Sequence, residues 1–178
     1  NGTPVSVTNS GFATGQLSIP DGTTIMGPAG WNGQIVPPQN PGSGGNAPTG
    51  FQVGSTIVEV GAAGNVLLFD KPVSVIINGI HTNVAYKPAG STNWVKITAQ
   101  CAGTYANPTA PTFPGECYIT DSGTSKTKIF TYHLTSFANL SANSSSSSSS
   151  SSGGGGGGSV GFSSLSDYML SSTVSSTL

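Results

Sequence analysis

Apolar residues recur at every second position through most of the first 140 residues, the period of a strand with one buried face. TPVSVT sets Val5 and Val7 on one face, and FATGQLSI keeps Leu17 and Ile19 in phase. STIVEVG, NVLLFD, PVSVIINGI, TNVAYK, NWVKITAQ, ECYIT and KIFTYHLTSF repeat the pattern. The segments between them are turn formers: PDG at 20–22, GPAG at 27–30, AAGN at 62–65, NG at 78–79, PAGS at 88–91 and DSG at 121–123. Short runs of this kind, punctuated by Gly, Pro and Asn, predict an all-β domain over residues 1–142. The expected architecture is a mostly antiparallel β-sandwich of Ig-like or jelly-roll-like kind. AAGN and DSGTS are expected as hairpin turns. PPQNPGSGGNAPTG at 37–50 is too rich in Gly and Pro for a strand and too long for a simple hairpin, so it is expected as an exposed loop.

The pattern stops near residue 142. Nine Ser at 144–152 and six Gly at 153–158 bury no side chain that would offset ordering, so 143–158 is expected to be a flexible linker. Residues 159–178 regain apolar character. Val160, Phe162, Tyr168 and Leu170 share a face if the segment is extended; Leu165, Tyr168 and Met169 share one if it is helical. Ser164 and Asp167 have capping-box spacing, and the choice between strand and helix stays open. Either form is amphipathic and too small to stand alone, which predicts docking on a neighbouring subunit by strand addition or helix in groove.

Composition narrows the partners. The 178 residues hold five Lys, no Arg, six acidic side chains and a formal net charge of -1. No cationic stripe exists to face phosphates, which argues against nucleic acid. No run approaches the ~20 apolar residues that span a bilayer. A surface made of Ser, Thr, Asn and Gly fits an extracellular or cell-surface setting.

Cys101 and Cys117 bracket a Pro-rich, weakly hydrophobic segment, and two cysteines are too few for a structural zinc site. A disulfide closing that loop is worth about 3 kcal/mol in the chain-entropy model. Asn1, Asn139 and Asn143 stand in N-glycosylation triplets, at what the pattern places as domain edges or tail. The Ser run and the Thr/Pro-rich stretch 104–114 suit O-linked sugar.

Little else suggests chemistry. Asp21, Glu59, Asp70, Glu116, Asp121 and Asp167 are scattered, and His81, after the NG turn, reads as a surface strand histidine. No metal-ligand spacing, phosphate loop or nucleophile elbow is present, so no metal or cofactor is expected. His133 and Thr135 fall on one side of an extended strand with Leu134 opposite, which is the arrangement for base-assisted attack of a hydroxyl on the preceding carbonyl.

HLTSFANL, with Cys117 upstream, resembles the end of the self-cleaving motif in adhesion-receptor autoproteolysis domains and related ZU5-type β-domains. The resemblance implies cleavage between Leu134 and Thr135 with His133 as base. More widely, IPDGTTIMGPAGWNGQIVPP, GNVLLFDKPVSVIINGI, YKPAGSTNWVKITAQC and the segment from ECYITDSG to HLTSFANL resemble an uncharacterised bacterial surface β-domain, which implies an extracellular β-fold. The combined expectation is a glycosylated, non-enzymatic structural subunit of an extracellular filament, its partners being copies of itself. The alternatives are an adhesion or carbohydrate-binding module using Trp31, Trp94 and Tyr86 as platform, and a self-cleaving β-domain.

Overall fold

The alternating runs pair into two antiparallel sheets in a computed structural model that describes residues 2–42, 44–62 and 65–143. The chain passes through β1 (Val5–Asn9), β2 (Phe12–Ile19), β3 (Ile25–Met26), β4 (Val36–Gln39) and β5 (Phe51–Gly61). Then come β6 (Leu67–Asn78), β7 (Val84–Lys87), β8 (Val95–Ile97), β9 (Ala102–Gly103) and β10 (Pro108–Thr109). β11 (Cys117–Asp121), β12 (Lys126–Leu134) and β13 (Ser136–Ala142) close the fold. The first sheet has the order β1-β2-β6-β12-β11, with β3 pairing the start of β6; the second has the order β4-β5-β13-β7-β8. β9 and β10 form a small separate ribbon.

Register explains the core. Val7, Leu17, Val75, Ile129 and Tyr118 lie opposite one another across β1, β2, β6, β12 and β11 of the first sheet. Val58, Phe137 and Tyr86 make the matching row in the second. These rows face each other and form one core with Leu67, Phe69, Val73 and Leu134. The layers approach so closely at Gly15 that a Cβ there would lie 2.9 Å from Val58 Cγ1, so only glycine fits.

The second sheet is also covered on its outer face. Ile57, Ala138 and Ala85 stand in register there and cluster with Leu140 and Trp94. Trp94 is 4% exposed and donates its indole N–H to the Gly44 carbonyl at 2.9 Å. Asn46 N–H donates to Thr92 O, and Trp94 N–H donates to Asn46 O. The segment after β4 is thereby strapped over the sheet.

Three expectations need correction. Part of the 37–50 segment is a strand: Val36–Gln39 is the edge strand β4, where a register shift accommodates Pro37 and Pro38. Asn65 N–H donates to Ala62 O at 2.9 Å across the ends of AAGN, but the segment is not a hairpin within one sheet. It carries the chain from β5 in the second sheet to β6 in the first, because β5 is buried on both faces and already paired on both sides. KIFTYHLTSF is not one strand either; it breaks at Thr135, and its halves belong to different sheets. The DSGTS hairpin is present between β11 and β12, capped by the Asp121 carboxylate on Gly123 N–H and the Thr124 hydroxyl.

The Cys101–Cys117 disulfide is formed. Cys101 N–H donates to Tyr118 O and Tyr118 N–H to Ala99 O, so residues 99–101 run beside β11. No helix among the described residues is long and apolar enough to cross a membrane.

Replacing Trp94 with Ala removes the cover of the outer cluster, and a loss of about 3–5 kcal/mol is expected from urea unfolding. Two carboxylates add a pH dependence. The Thr24 backbone N–H, 2.7 Å from Asp70 Oδ1, holds Asp70 below its ordinary pKa, and the Thr124 hydroxyl and Gly123 N–H do the same for Asp121. A depressed folded pKa contributes stability that is complete above the ordinary value near 4 and is lost as pH falls through the folded value. Thermal midpoints are therefore expected to drop on acidification below about pH 4, and less steeply in Asp70→Asn.

Candidate functional site

β12 runs in register with β6 as far as Thr131 and then slips, so that His133 lies opposite Leu68. The fully buried Thr131 hydroxyl fills the gap: it donates to His133 O and accepts from His133 N–H, each at 3.2 Å. The imidazole of His133 follows this irregularity. Its Nε2 lies 2.8 Å from Glu116 Oε1, with both side chains less than one-fifth exposed. A carboxylate only accepts, so the contact places the ring proton on Nε2. The ring packs against Tyr86, centroid to centroid 4.9 Å, and stacks more distantly on Phe137 at 6.4 Å. Burial, and then the Glu116 charge, push the Tyr86 phenol above its usual pKa.

Thr135 sits at the bend between the sheets. Its hydroxyl donates to the Lys87 carbonyl, and its own carbonyl accepts from Val60 N–H at 3.2 Å. Leu134 is fully buried. The hydroxyl proton is thus committed to β7 while the His133 proton is committed to Glu116, and no hydrogen bond joins the two side chains among the described residues. The arrangement is a clasp: His133 of β12 pairs with Glu116, just before β11, and leans on Tyr86 of the second sheet.

The other expected residues separate. Cys101 and Cys117 close a loop that returns over the outer face of β12. Lys128 Nζ donates to Tyr105 O and sits 4.2 Å from that ring; Tyr132 donates to Pro111 O and takes Phe113 edge-on at 5.3 Å. Burial lowers the pKa of Lys128 and raises that of Tyr105, which is also pushed up by Asp121. Trp94 is a covered core residue, and Trp31 donates to Gln34 O while lying on Gly27, so the three residues of the expected platform do not share a surface. His81 lies in the β6–β7 crossing rather than on a strand, its N–H held by the Thr127 hydroxyl.

Asn139 is corrected from a domain edge to the central strand of the second sheet. Its Oδ1 accepts the Thr56 N–H at 3.0 Å where β5 slips against β13. Its Nδ2, the atom that an N-linked sugar modifies, lies flat on Gly54, where a Cβ would come within 2.3 Å. Asn143 is exposed and its N–H donates to Gly50 O. Asn1 and the docking residues Val160, Phe162, Leu165, Tyr168, Met169 and Leu170 lie outside the described residues. Among the described residues no group of three His, Cys, Asp or Glu side chains could hold a metal ion.

Two features escaped sequence reasoning. Glu116 meets His133 although they stand 17 apart in the chain; extending the DSGTS hairpin one step past Cys117 opposite Phe130 would have brought them near each other. The second is a cleft of about 180 Å³ at the Thr135 end of the second sheet, floored by Glu59, Ser136 and Lys87. These three are direct cross-strand partners, with Gln39 beyond Glu59. No protein-family model, curated protein or solved structure matches the chain.

With both protons committed elsewhere, the chain is expected to give one intact species by denaturing gel and mass spectrometry. Thr135→Ala should leave that mass pattern unchanged apart from the substitution. His133→Ala should lower stability by about 1–3 kcal/mol through the unpaired, half-buried Glu116; in the unaltered chain, two fragments divided between Leu134 and Thr135 would show that the clasp opens for chemistry.

Proposed function

We propose that the chain is a structural subunit of an extracellular assembly, joined to copies of itself through an open strand edge. The observation that carries this reading is the uneven protection of the sheet edges. β4 bears Pro37 and Pro38; β8 is three residues long and bears Lys96, which lies over the Phe51 ring; β11 is flanked by residues 99–101. β1 has none of these devices. It pairs only with β2 and has no charge between Val5 and Asn9, and Val5 is 58% exposed. β4 also passes near β1 but forms no ladder with it, and an uncharged edge without a second ladder partner is a template for a further strand.

In this reading the incoming strand is the apolar part of 159–178 from a neighbour, delivered by the Ser/Gly-rich stretch 143–158. Fifteen Ser and Gly residues reach about 50 Å at full extension, enough to pass from one small domain to the next. The disulfide and the scarcity of charge support an extracellular or surface location. The repeated passage of the chain between sheets supports a jelly-roll-like rather than a meander sandwich. Sugar on Asn143 is compatible with its exposure.

Val5→Lys puts a charge on the exposed edge without touching the core. It is expected to change stability by no more than about 0.5 kcal/mol and to abolish oligomers seen by sedimentation and electron microscopy. Deletion of 159–178 should have the same effect. Fibres that persist in both variants would remove β1 and the C-terminal segment as the assembling parts.

A further inference from the structure

The cleft beside Thr135 calls for an explanation that assembly does not supply. Its floor is a polar row on the same face as the apolar row Ile57–Ala138–Ala85, displaced two residues along the strands. The strap after β4 and Trp94 cover the apolar part and leave the polar end open between Pro41 and the 88–91 turn. We propose that this cleft is a binding site for a single neutral sugar ring.

The chemistry of the floor selects the ligand. The half-buried Glu59 carboxylate has no hydrogen bond or ion pair among the described residues. It therefore calls for donors, and two neighbouring hydroxyls of a sugar match its two oxygens with charge-assisted hydrogen bonds. A free cation is disfavoured because Lys87 stands in the same row, two strands away, at a backbone spacing of about 10 Å. An anion is disfavoured by Glu59 itself, and because the Lys87 ammonium is turned onto the Trp94 ring, 5.4 Å from its centroid. Between the two charges lies Ser136, whose hydroxyl both donates and accepts. Thr135 gives its proton to Lys87 O, which leaves its oxygen as an acceptor at the rim. Pro41 and Pro88 supply apolar walls for the C–H faces of a ring.

Size limits the occupant. A volume of about 180 Å³ holds roughly six waters at ~30 Å³ each, well below the ~300–1,000 Å³ of sites for drug-sized ligands. One ring of about a dozen heavy atoms fits, with an expected Kd of about 1 mM or weaker. The cleft thus takes the terminal residue of a glycan and gains strength by repetition wherever several copies are displayed together.

The test is an amide-resolved NMR titration of the full chain with the methyl glycosides of glucose, galactose, mannose and N-acetylglucosamine. At least one should give saturable shifts at Glu59, Lys87, Ser91 and Ser136. Glu59→Gln, which keeps the shape and therefore the fold, should weaken that binding about tenfold or more, a loss typical of one charge-assisted contact. Val5→Lys should leave it unchanged, which separates this site from the assembly edge. The proposal is overturned by an absence of saturable shifts at these amides with all four glycosides, or by equal binding in Glu59→Gln. It is equally overturned if methylammonium or acetate reproduces the shifts, which would make the cleft a charge site.

Discussion

Everything in the sandwich is referred to the single residue between β12 and β13. β12 is flanked by β6 and β11 in the first sheet, and β13 by β5 and β7 in the second, yet only Thr135 separates them. The two layers therefore cannot slide independently. Its hydroxyl is fixed to Lys87 O and its carbonyl to Val60 N–H, so the corner is bonded to both neighbours of β13. Leu134 just before it and Phe137 two residues after it are fully buried. The fit is close enough that a Cβ on Gly61 would lie 2.9 Å from Leu134 Cβ, at a backbone φ of +128° that side chains rarely adopt.

Given that corner, the few polar groups inside are used to repair irregular backbone. Thr131 fills the slip in β12, Asn139 fills the slip in β5, and Thr127 holds the β6–β7 crossing by donating to Gly79 O and accepting from His81 N–H. Each is a neutral hydroxyl or amide. A chain with so few charges builds its internal contacts from these groups, which avoids the desolvation cost of burying ions. The His133–Glu116 contact is the exception, and it remains partly open to water.

The strands were legible because alternation is a local property. Leu17 and Ile19, or Val73, Val75 and Ile77, announce their buried face without reference to anything distant. The disulfide was legible from the Pro-rich, weakly hydrophobic loop that Cys101 and Cys117 bracket. What alternation does not encode is which sheet a strand joins, so AAGN passed for a hairpin and the break at Thr135 was invisible. β5 did carry a signal: Ile57, Val58, Val60 and Gly61 are all buried, a near-continuous run that marks a strand covered on both faces. Prolines argued against β4 because they exclude a central strand, and an edge strand escapes that rule. The cleft was illegible for a different reason. Gln39, Glu59, Ser136 and Lys87 come from four separate segments and meet only through register.

The position of β13 has a mechanical consequence. Asn143, at its end, is the point through which anything attached on the C-terminal side pulls on the domain, and its N–H is held by Gly50 O. Because β13 is bonded on both sides, to β5 and to β7, tension along it loads its two ladders together in shear. An edge strand pulled from one end would instead unzip one bond at a time. Tension applied there would therefore reach the middle of the sandwich, where rupture requires many bonds to fail at once.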